Sequence, residues 1–219
     1  MQQAFKVVFG LLFLAVAAVI IWRVPINGWG SLVWVLGGFA MTIIRSPHEK
    51  ANKANTITES RQTATENVLL GLVLLGGSFG PALHLATGVL SVANYSAPIT
   101  VPIAGVVLNV IGTWLFWRSH ADLGRNWSVT LEIRQEHTLI EHGIYQRIRH
   151  PMYTAIFFVF AAQALLLQNW IVGPSGLIAF WLMYLIRVPR EEAMMQHRFG
   201  QQYAEYSART GRLWPLFRQ

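Results

Sequence analysis

Two stretches of this sequence gather side chains able to do chemistry: His137 to Tyr153, which holds His137, His142, Tyr145, His150 and Tyr153, and Arg187 to Glu192, which holds Arg187, Glu191 and Glu192. A guanidinium can grip a carboxylate through paired hydrogen bonds, a carboxylate binds cations and hydroxyls, and tyrosine faces accept cations. Both stretches adjoin long apolar runs, where ionisable groups cost free energy. One explanation is structural, because Arg187 and Glu191 stand at the i, i+4 spacing of a helix-surface ion pair and an arginine at a membrane boundary can snorkel. The other is a shared pocket. His150 and Tyr153 begin one apolar run, Arg187, Glu191 and Glu192 end the next, and a helical hairpin brings those ends together. Spacing alone does not separate the two explanations.

The elements that must position these groups are membrane helices. Of 219 residues, 53% are hydrophobic and 12% charged, whereas a soluble domain carries about 25% charged residues. Sixteen uncharged residues separate Lys6 from Arg23, 21 separate Arg23 from Arg45, 51 run from Asn67 to Trp117, and 37 lie between Arg149 and Arg187. At about 20 residues per crossing these runs predict six helices, the first extended by Phe5 and the stem of Lys6. Turns are expected at Pro25 to Gly28, in SVANYSAPITVP around Asn94, Pro98 and Pro102, and at a hairpin tip carrying Gly173 and Pro174. Thr63 and Glu66 have capping-box spacing ahead of the third helix. Gly76 and Gly80 form a G-x-x-x-G pair suited to close packing within the protein, and His84 is expected to be satisfied by a neighbouring carbonyl. Residues 118 to 149 read as irregular or extended structure outside the hydrocarbon. The last helix continues past the membrane, with a kink expected at Pro189. The fold class is all-α, a polytopic integral membrane bundle whose last two segments form a hairpin. It divides into a four-helix transmembrane part, 1–117, and a C-terminal part with hairpin and cytoplasmic tail, 118–219.

Seventeen Lys and Arg against 10 Asp and Glu give a net charge of +7. With a cytoplasmic N-terminus, sixteen of the seventeen fall on the cytoplasmic side and only Arg23 lies outside. Membrane orientation therefore accounts for the basic residues, and no nucleic-acid partner is needed. Cysteine is absent, which removes disulfides, thiolate metal sites and cysteine nucleophiles. His137, His142 and His150 have no acidic or cysteine partner at a standard metal spacing, so no metal is expected. A cleaved signal peptide is disfavoured because a second apolar run follows the first almost at once. A transporter or scaffold is disfavoured because the polar groups collect at one end rather than along a path through the bilayer.

The string LIEHGIYQRIRHPMY, followed after a hairpin by Arg-x-x-x-Glu-Glu at Arg187 to Glu192 and by FGQQYAEY, resembles the isoprenylcysteine carboxyl methyltransferase family, itself related to membrane phospholipid methyltransferases. The resemblance covers roughly residues 118 to 217. It implies an integral membrane enzyme that uses S-adenosylmethionine, bound in the C-terminal part on the cytoplasmic side rather than in a Rossmann domain. Consistently, no G-x-G-x-x-G is present. Carried over by position, His137, Thr138, Leu139, Ile140, Tyr145, His150, Pro151, Met152, Tyr153 and Glu191 surround the cofactor, with Thr130 added to the set. Arg187 faces the methyl acceptor. The family often has glycine two residues after the motif tyrosine, where this chain has Ala155. Tyr203 and Tyr206 are assigned to packing of the tail.

For this family the sequence reading favours carboxyl O-methylation of a lipophilic, isoprenylcysteine-like or lipidated acceptor that enters from the membrane lipid, with no obligate protein partner evident. A carboxylate is already a nucleophile at neutral pH, and the fork of Arg187 can orient it. A phospholipid amine or a small thiol must instead lose a proton, for which Glu192 is the nearest expected base. A sterol-reductase-like NADPH enzyme is a further alternative, because such proteins share an HP-containing tail but usually have more membrane helices.

Overall fold

A backbone crossing hydrocarbon finds no water to bond with, so each apolar run has to satisfy its own N–H and C=O groups, and each folds as a helix. The protein, seen in a computed structural model that describes residues 2–53, 57–60, 63–124, 132–134 and 138–216, has α1 at Gln2–Trp22, a short α2 at Val24–Asn27 and α3 at Gly30–Lys53. Next come α4 (Ala64–Leu74), a π turn (Leu75–Phe79) and α5 (Gly80–Thr87) as one continuous rod, then α6 (Thr100–Leu123), α7 (Pro151–Leu166), α8 (Val172–Phe199) and α9 (Gln201–Arg209). Helices among the described residues cover each of the apolar runs read from the sequence. Among the described residues three are long and apolar enough to cross a membrane: Ala64–Thr87, α6 and α8; Phe13–Trp22 and Pro151–Leu166 are shorter apolar helices. The chain is an integral membrane helical bundle, to which a small antiparallel ribbon is added. Its strands β1 (Ile57–Ser60) and β2 (Glu132–Arg134) pair Ile57 with Arg134 and Ser60 with Glu132.

Three boundaries differ from expectation. α3 does not stop at Arg45 but runs through Pro47 to Lys53, since Glu, Lys and Ala sustain a helix in water as well as apolar residues do in lipid. Residue 117 lies inside α6, so the helix crosses the line between the two parts drawn from composition. The tip of the last hairpin is Gln168 to Ile171, and Gly173 and Pro174 stand in the first turn of α8. There the missing proline N–H costs nothing. The tip is pinned by Asn169, wholly buried, whose Nδ2 donates to Leu90 O (2.9 Å) and Asn94 Oδ1 (2.6 Å) while its Oδ1 accepts from Ile171 and Val172 N–H (2.9 and 3.0 Å). One asparagine both starts α8 and ties the hairpin to the loop that follows α5.

Helices in lipid pack through small residues that let backbones approach. A Cβ on Gly112 of α6 would lie 2.9 Å from the Ala155 carbonyl of α7. The close approach around Ala155, which is fully buried, is thus supplied by a glycine on the facing helix. The expected pair of Gly76 and Gly80 is replaced by Gly76 and Gly77. A Cβ on Gly76 would meet Ser175 O at 2.7 Å and one on Gly77 would meet Phe160 at 2.4 Å, whereas Gly80 faces only Leu75 of its own rod. The π turn breaks the four-residue rhythm here, and the Gly76 carbonyl accepts from Gln163 Nε2 (3.0 Å) and Ser175 Oγ (2.7 Å). His84 is buried with Nδ1 on Val89 O, as expected. Leu69 of α4 packs with Phe180 and Met183 of α8, joining the N-terminal half to the helix that carries Arg187.

Candidate active site

The residues before α7 are held by a local device. Gly143 has φ +61°, a conformation L side chains rarely adopt, and a Cβ there would lie 2.1 Å from Asp122 Oδ2. That carboxylate caps the 3-10 turn Gly143–Gln146 by accepting from Ile144 N–H at 2.8 Å, and Arg118 pairs with Asp122 at 2.8 Å. Tyr145 is thereby buried, with the Tyr206 hydroxyl donating to its carbonyl at 2.8 Å. Burial first, and the Glu191 carboxylate second, push the Tyr145 phenol well above its ordinary range, so it remains neutral.

The tail closes over this turn. Arg149 N–H donates to Gly211 O (2.8 Å), His150 N–H to Arg212 O (3.0 Å), and Thr154 Oγ1 to Leu213 O (2.8 Å). The Arg149 guanidinium bonds Ser207 O at 2.8 Å and also reaches Thr210 O. These bonds satisfy backbone groups that an irregular segment would otherwise leave without partners.

Glu191 and Glu192 point to different partners because adjacent helical residues are rotated by about 100°. Glu191 Oε2 accepts from the Tyr153 hydroxyl at 2.9 Å, and Glu191 Oε1 lies 3.8 Å from His150 Nδ1. Glu192 is the hub of a basic cluster, with Oε1 at 3.2 Å from His150 Nε2, 3.2 Å from Arg149 Nε and 3.1 Å from Arg212 Nε. One turn earlier, Arg187 Nη1 lies 3.3 Å from Glu66 Oε1. Beside Arg187 stands Glu66 of α4; Glu191, its expected i, i+4 partner, accepts from Tyr153, and Glu192, the expected nearest base, faces Arg149, His150 and Arg212. Thr63 Oγ1 accepts from the Glu66 N–H at 3.2 Å, so half of the expected capping box forms while the Glu66 side chain reaches Arg187.

A cavity of about 990 Å³ joins these groups. Thr138, Leu139, Ile140, Tyr145, His150, Pro151, Met152, Tyr153, Arg187 and Glu191, ten of the positions singled out by sequence, border it. His137 and Thr130 lie outside the described residues. The cavity continues between the helices, where Leu70, Val73, Phe160, Phe180 and Trp34 line an apolar chamber. Met194, Met195, Tyr203 and Tyr206 border it too; the two tyrosines pack as expected and also face this space. The methionines were legible in principle, since 187, 191, 194 and 195 share one helical face. Glu66 was legible only as the acid of a capping box at the edge of a long uncharged run, with nothing to mark it as a partner of Arg187.

These features define a polytopic membrane protein with a polar pocket at one end of its bundle that opens into an apolar chamber. Comparison with known proteins makes the class specific. The sequence model of the isoprenylcysteine carboxyl methyltransferase (ICMT) family matches residues 104–197. Protein-S-isoprenylcysteine O-methyltransferase of Homo sapiens is 31% identical over 110 residues, 49% of this chain and 39% of that protein, and form B of Arabidopsis thaliana is 30% identical over 108 residues, 48% of this chain and 55% of that one. The match thus spans about half or less of these relatives. A solved structure of the eukaryotic intramembrane Ras methyltransferase ICMT superposes with TM-score 0.55 and 25% identity, covering 89% of this chain and 67% of that one. Residues 104–197 thus resemble the isoprenylcysteine carboxyl methyltransferase family in sequence, and the helical bundle resembles its solved member in fold.

Proposed function

We propose that the protein is an S-adenosylmethionine-dependent membrane methyltransferase that esterifies the carboxyl group of a lipophilic, isoprenylcysteine-like acceptor. The observation that carries this reading is the continuity of one cavity, from Glu191, His150 and Tyr145 past Arg187 into the chamber of Val73, Phe160 and Phe180. An amphipathic acceptor needs that order of surfaces. The names of the relatives support the reaction type.

The polar end fits a cationic nucleoside. It offers a carboxylate whose one oxygen is fixed by Tyr153, the neutral ring of Tyr145 and the polarisable thioethers of Met194 and Met195. Thr138, Leu139, Ile140, Tyr145, His150, Pro151, Met152, Tyr153 and Glu191 would hold it, with His137 and Thr130 in the same set. Bound there, S-adenosylmethionine supplies a methyl on a sulfonium, and transfer to a carboxylate oxygen forms O–C, breaks S–C, leaves the electron pair on sulfur and moves no proton. Arg187 orients the acceptor carboxylate, the apolar chamber takes its hydrocarbon chain, and the closed bundle excludes water. No general base is required, and Glu192 acts by fastening His150 and the tail. The asymmetry of Lys and Arg supports placing this end on the cytoplasmic side.

The test is incubation of the purified protein with methyl-labelled S-adenosylmethionine and N-acetyl-S-farnesylcysteine. The expected product loses its label as methanol in mild base. A base-stable product from lipid extract or thiol would move the reading to an amine or thiol acceptor. Nicotinamide binding without S-adenosylmethionine binding would end it.

A further inference from the structure

Asn109 stands near the middle of α6 and is 7% exposed, yet among the described residues its side-chain amide makes no hydrogen bond. An amide carries two donors and an acceptor, and hydrocarbon offers none of them a partner. The fold nevertheless makes room for it. A Cβ on Gly37 of α3 would lie 2.7 Å from Asn109 Nδ2 and 2.8 Å from Oδ1, so glycine lets the amide lie against the facing helix. Asn109 borders the large cavity on one side and, on the other, a shallow groove between α3 and α6 that it shares with Thr113 and Trp114. Other polar side chains along the apolar chamber are already bonded. Gln163 gives Nε2 to the Gly76, Val172 and Gly173 carbonyls and takes Trp34 Nε1 on Oε1, while Thr42 and Thr87 bond carbonyls of their own helices. Ser78, exposed on the rod of α4 and α5, follows Gly77, whose missing Cβ would meet Phe160.

The depth of this amide follows from its neighbours. Tyr153 bonds Glu191 and its ring lies 5.9 Å from that of Tyr184, so it stands level with Arg187, which α8 carries between those two. Gly112 faces Ala155 and Val159, and Gly105 faces Leu165 and Leu166, so Asn109, between them on α6, stands near the level of Phe160. From Tyr153 to Phe160 the rise along α7 is about 10 Å. We propose that Asn109 is a specificity-determining residue: a hydrogen-bonding subsite inside the apolar chamber for a hydroxyl or carbonyl oxygen borne part-way along the chain of the acid acceptor. This rests on the carboxyl methyltransferase reading. An extended chain advances about 1.2 Å per bond, which puts that oxygen about eight or nine bonds beyond a carboxyl carbon held by Arg187. A plain hydrocarbon filling the chamber leaves the amide unpaired. An oxygenated chain pairs it, so the site prefers the oxygenated acid by the cost of one unmade buried hydrogen bond. Ser78 brings a hydroxyl to the same depth from the facing rod.

Equilibrium binding of octadecanoic, 10-hydroxyoctadecanoic and 17-hydroxyoctadecanoic acids to the full chain in nanodiscs tests this, the last two differing only in where the hydroxyl sits. The wild type is expected to bind the 10-hydroxy acid on the order of tenfold more tightly than either of the others. Asn109→Leu, which replaces the amide by an apolar group of similar shape, should bind the 10-hydroxy and the plain acid about equally, through a gain for the plain acid. Equal binding of the two hydroxy acids by the wild type overturns the proposal without any variant, and so does an undiminished preference in Asn109→Leu. The function reading fails separately, if the wild type forms no base-labile methyl product from these acids or from N-acetyl-S-farnesylcysteine.

Discussion

Glu191 and Glu192 are neighbours in sequence and bracket one imidazole, Glu191 Oε1 at 3.8 Å from His150 Nδ1 and Glu192 Oε1 at 3.2 Å from His150 Nε2. Only Glu191 borders the cavity. Glu192 is occupied with Arg149 and Arg212. The pair thus divides into a carboxylate facing ligand space and a carboxylate holding the tail against α7.

Substitution should separate those roles. Glu191→Gln is expected to weaken S-adenosylmethionine binding by tenfold or more, roughly one charge-assisted hydrogen bond, with melting unchanged. Glu192→Ala should destabilise by about 3 kcal/mol, because Arg149 is left largely buried without its partner. Calorimetric titration and thermal melting in detergent, run on both variants, check the assignment; equal losses in both assays for both residues would contradict it.

Arg187→Ala should abolish methylation and also lower stability, since the Glu66 carboxylate stays buried alone. The double variant Glu66→Gln, Arg187→Gln should regain most of the melting temperature and none of the turnover. Recovered turnover would remove Arg187 from the reaction.

Gly143→Ala should cost about 2 kcal/mol from left-handed backbone strain alone, and more from the collision with Asp122. Loss of the Asp122 cap on Ile144 should displace Tyr145 and weaken nucleoside binding. A variant with native melting and native affinity would show that the turn does not position the site.

The phenols of Tyr145, Tyr203 and Tyr206 are all raised by burial. In the unfolded chain they ionise near pH 10. Their contribution to stability is therefore complete below about pH 10 and is lost as pH climbs from there towards the folded values. Melting temperature should fall above pH 10, and Tyr206→Phe should make that fall shallower. An unchanged slope in Tyr206→Phe would mean that the Tyr206 phenol takes no part in the alkaline loss of stability.

Blocking the apolar chamber should discriminate by acceptor length. Val73→Trp fills space that Val73, Phe160 and Phe180 border. It is expected to raise KM for a farnesyl acceptor by about tenfold, the equivalent of a few buried methylenes, while sparing a short-chain acid. A uniform effect on both would argue that the hydrocarbon lies elsewhere.

What the sequence determined by itself was local. Long uncharged runs dictated helices because a backbone in lipid has no other solution, and the motif from Leu139 to Tyr153 marked the cavity wall because consecutive residues of a turn and a first helical turn must stay together. Asn169 at the hairpin tip, the choice of Gly77 over Gly80 as the close-packed glycine and the partner of Arg187 belonged to the tertiary structure. Each depends on how two distant helices cross, and a π turn or a one-position rotation changes which side chains meet. Spacing along α8 offered Glu191 and Glu192 as neighbours for Arg187, and the crossing of α4 with α8 brought Glu66 instead, because a buried guanidinium pairs with the carboxylate that packing delivers rather than with the nearest one in the chain.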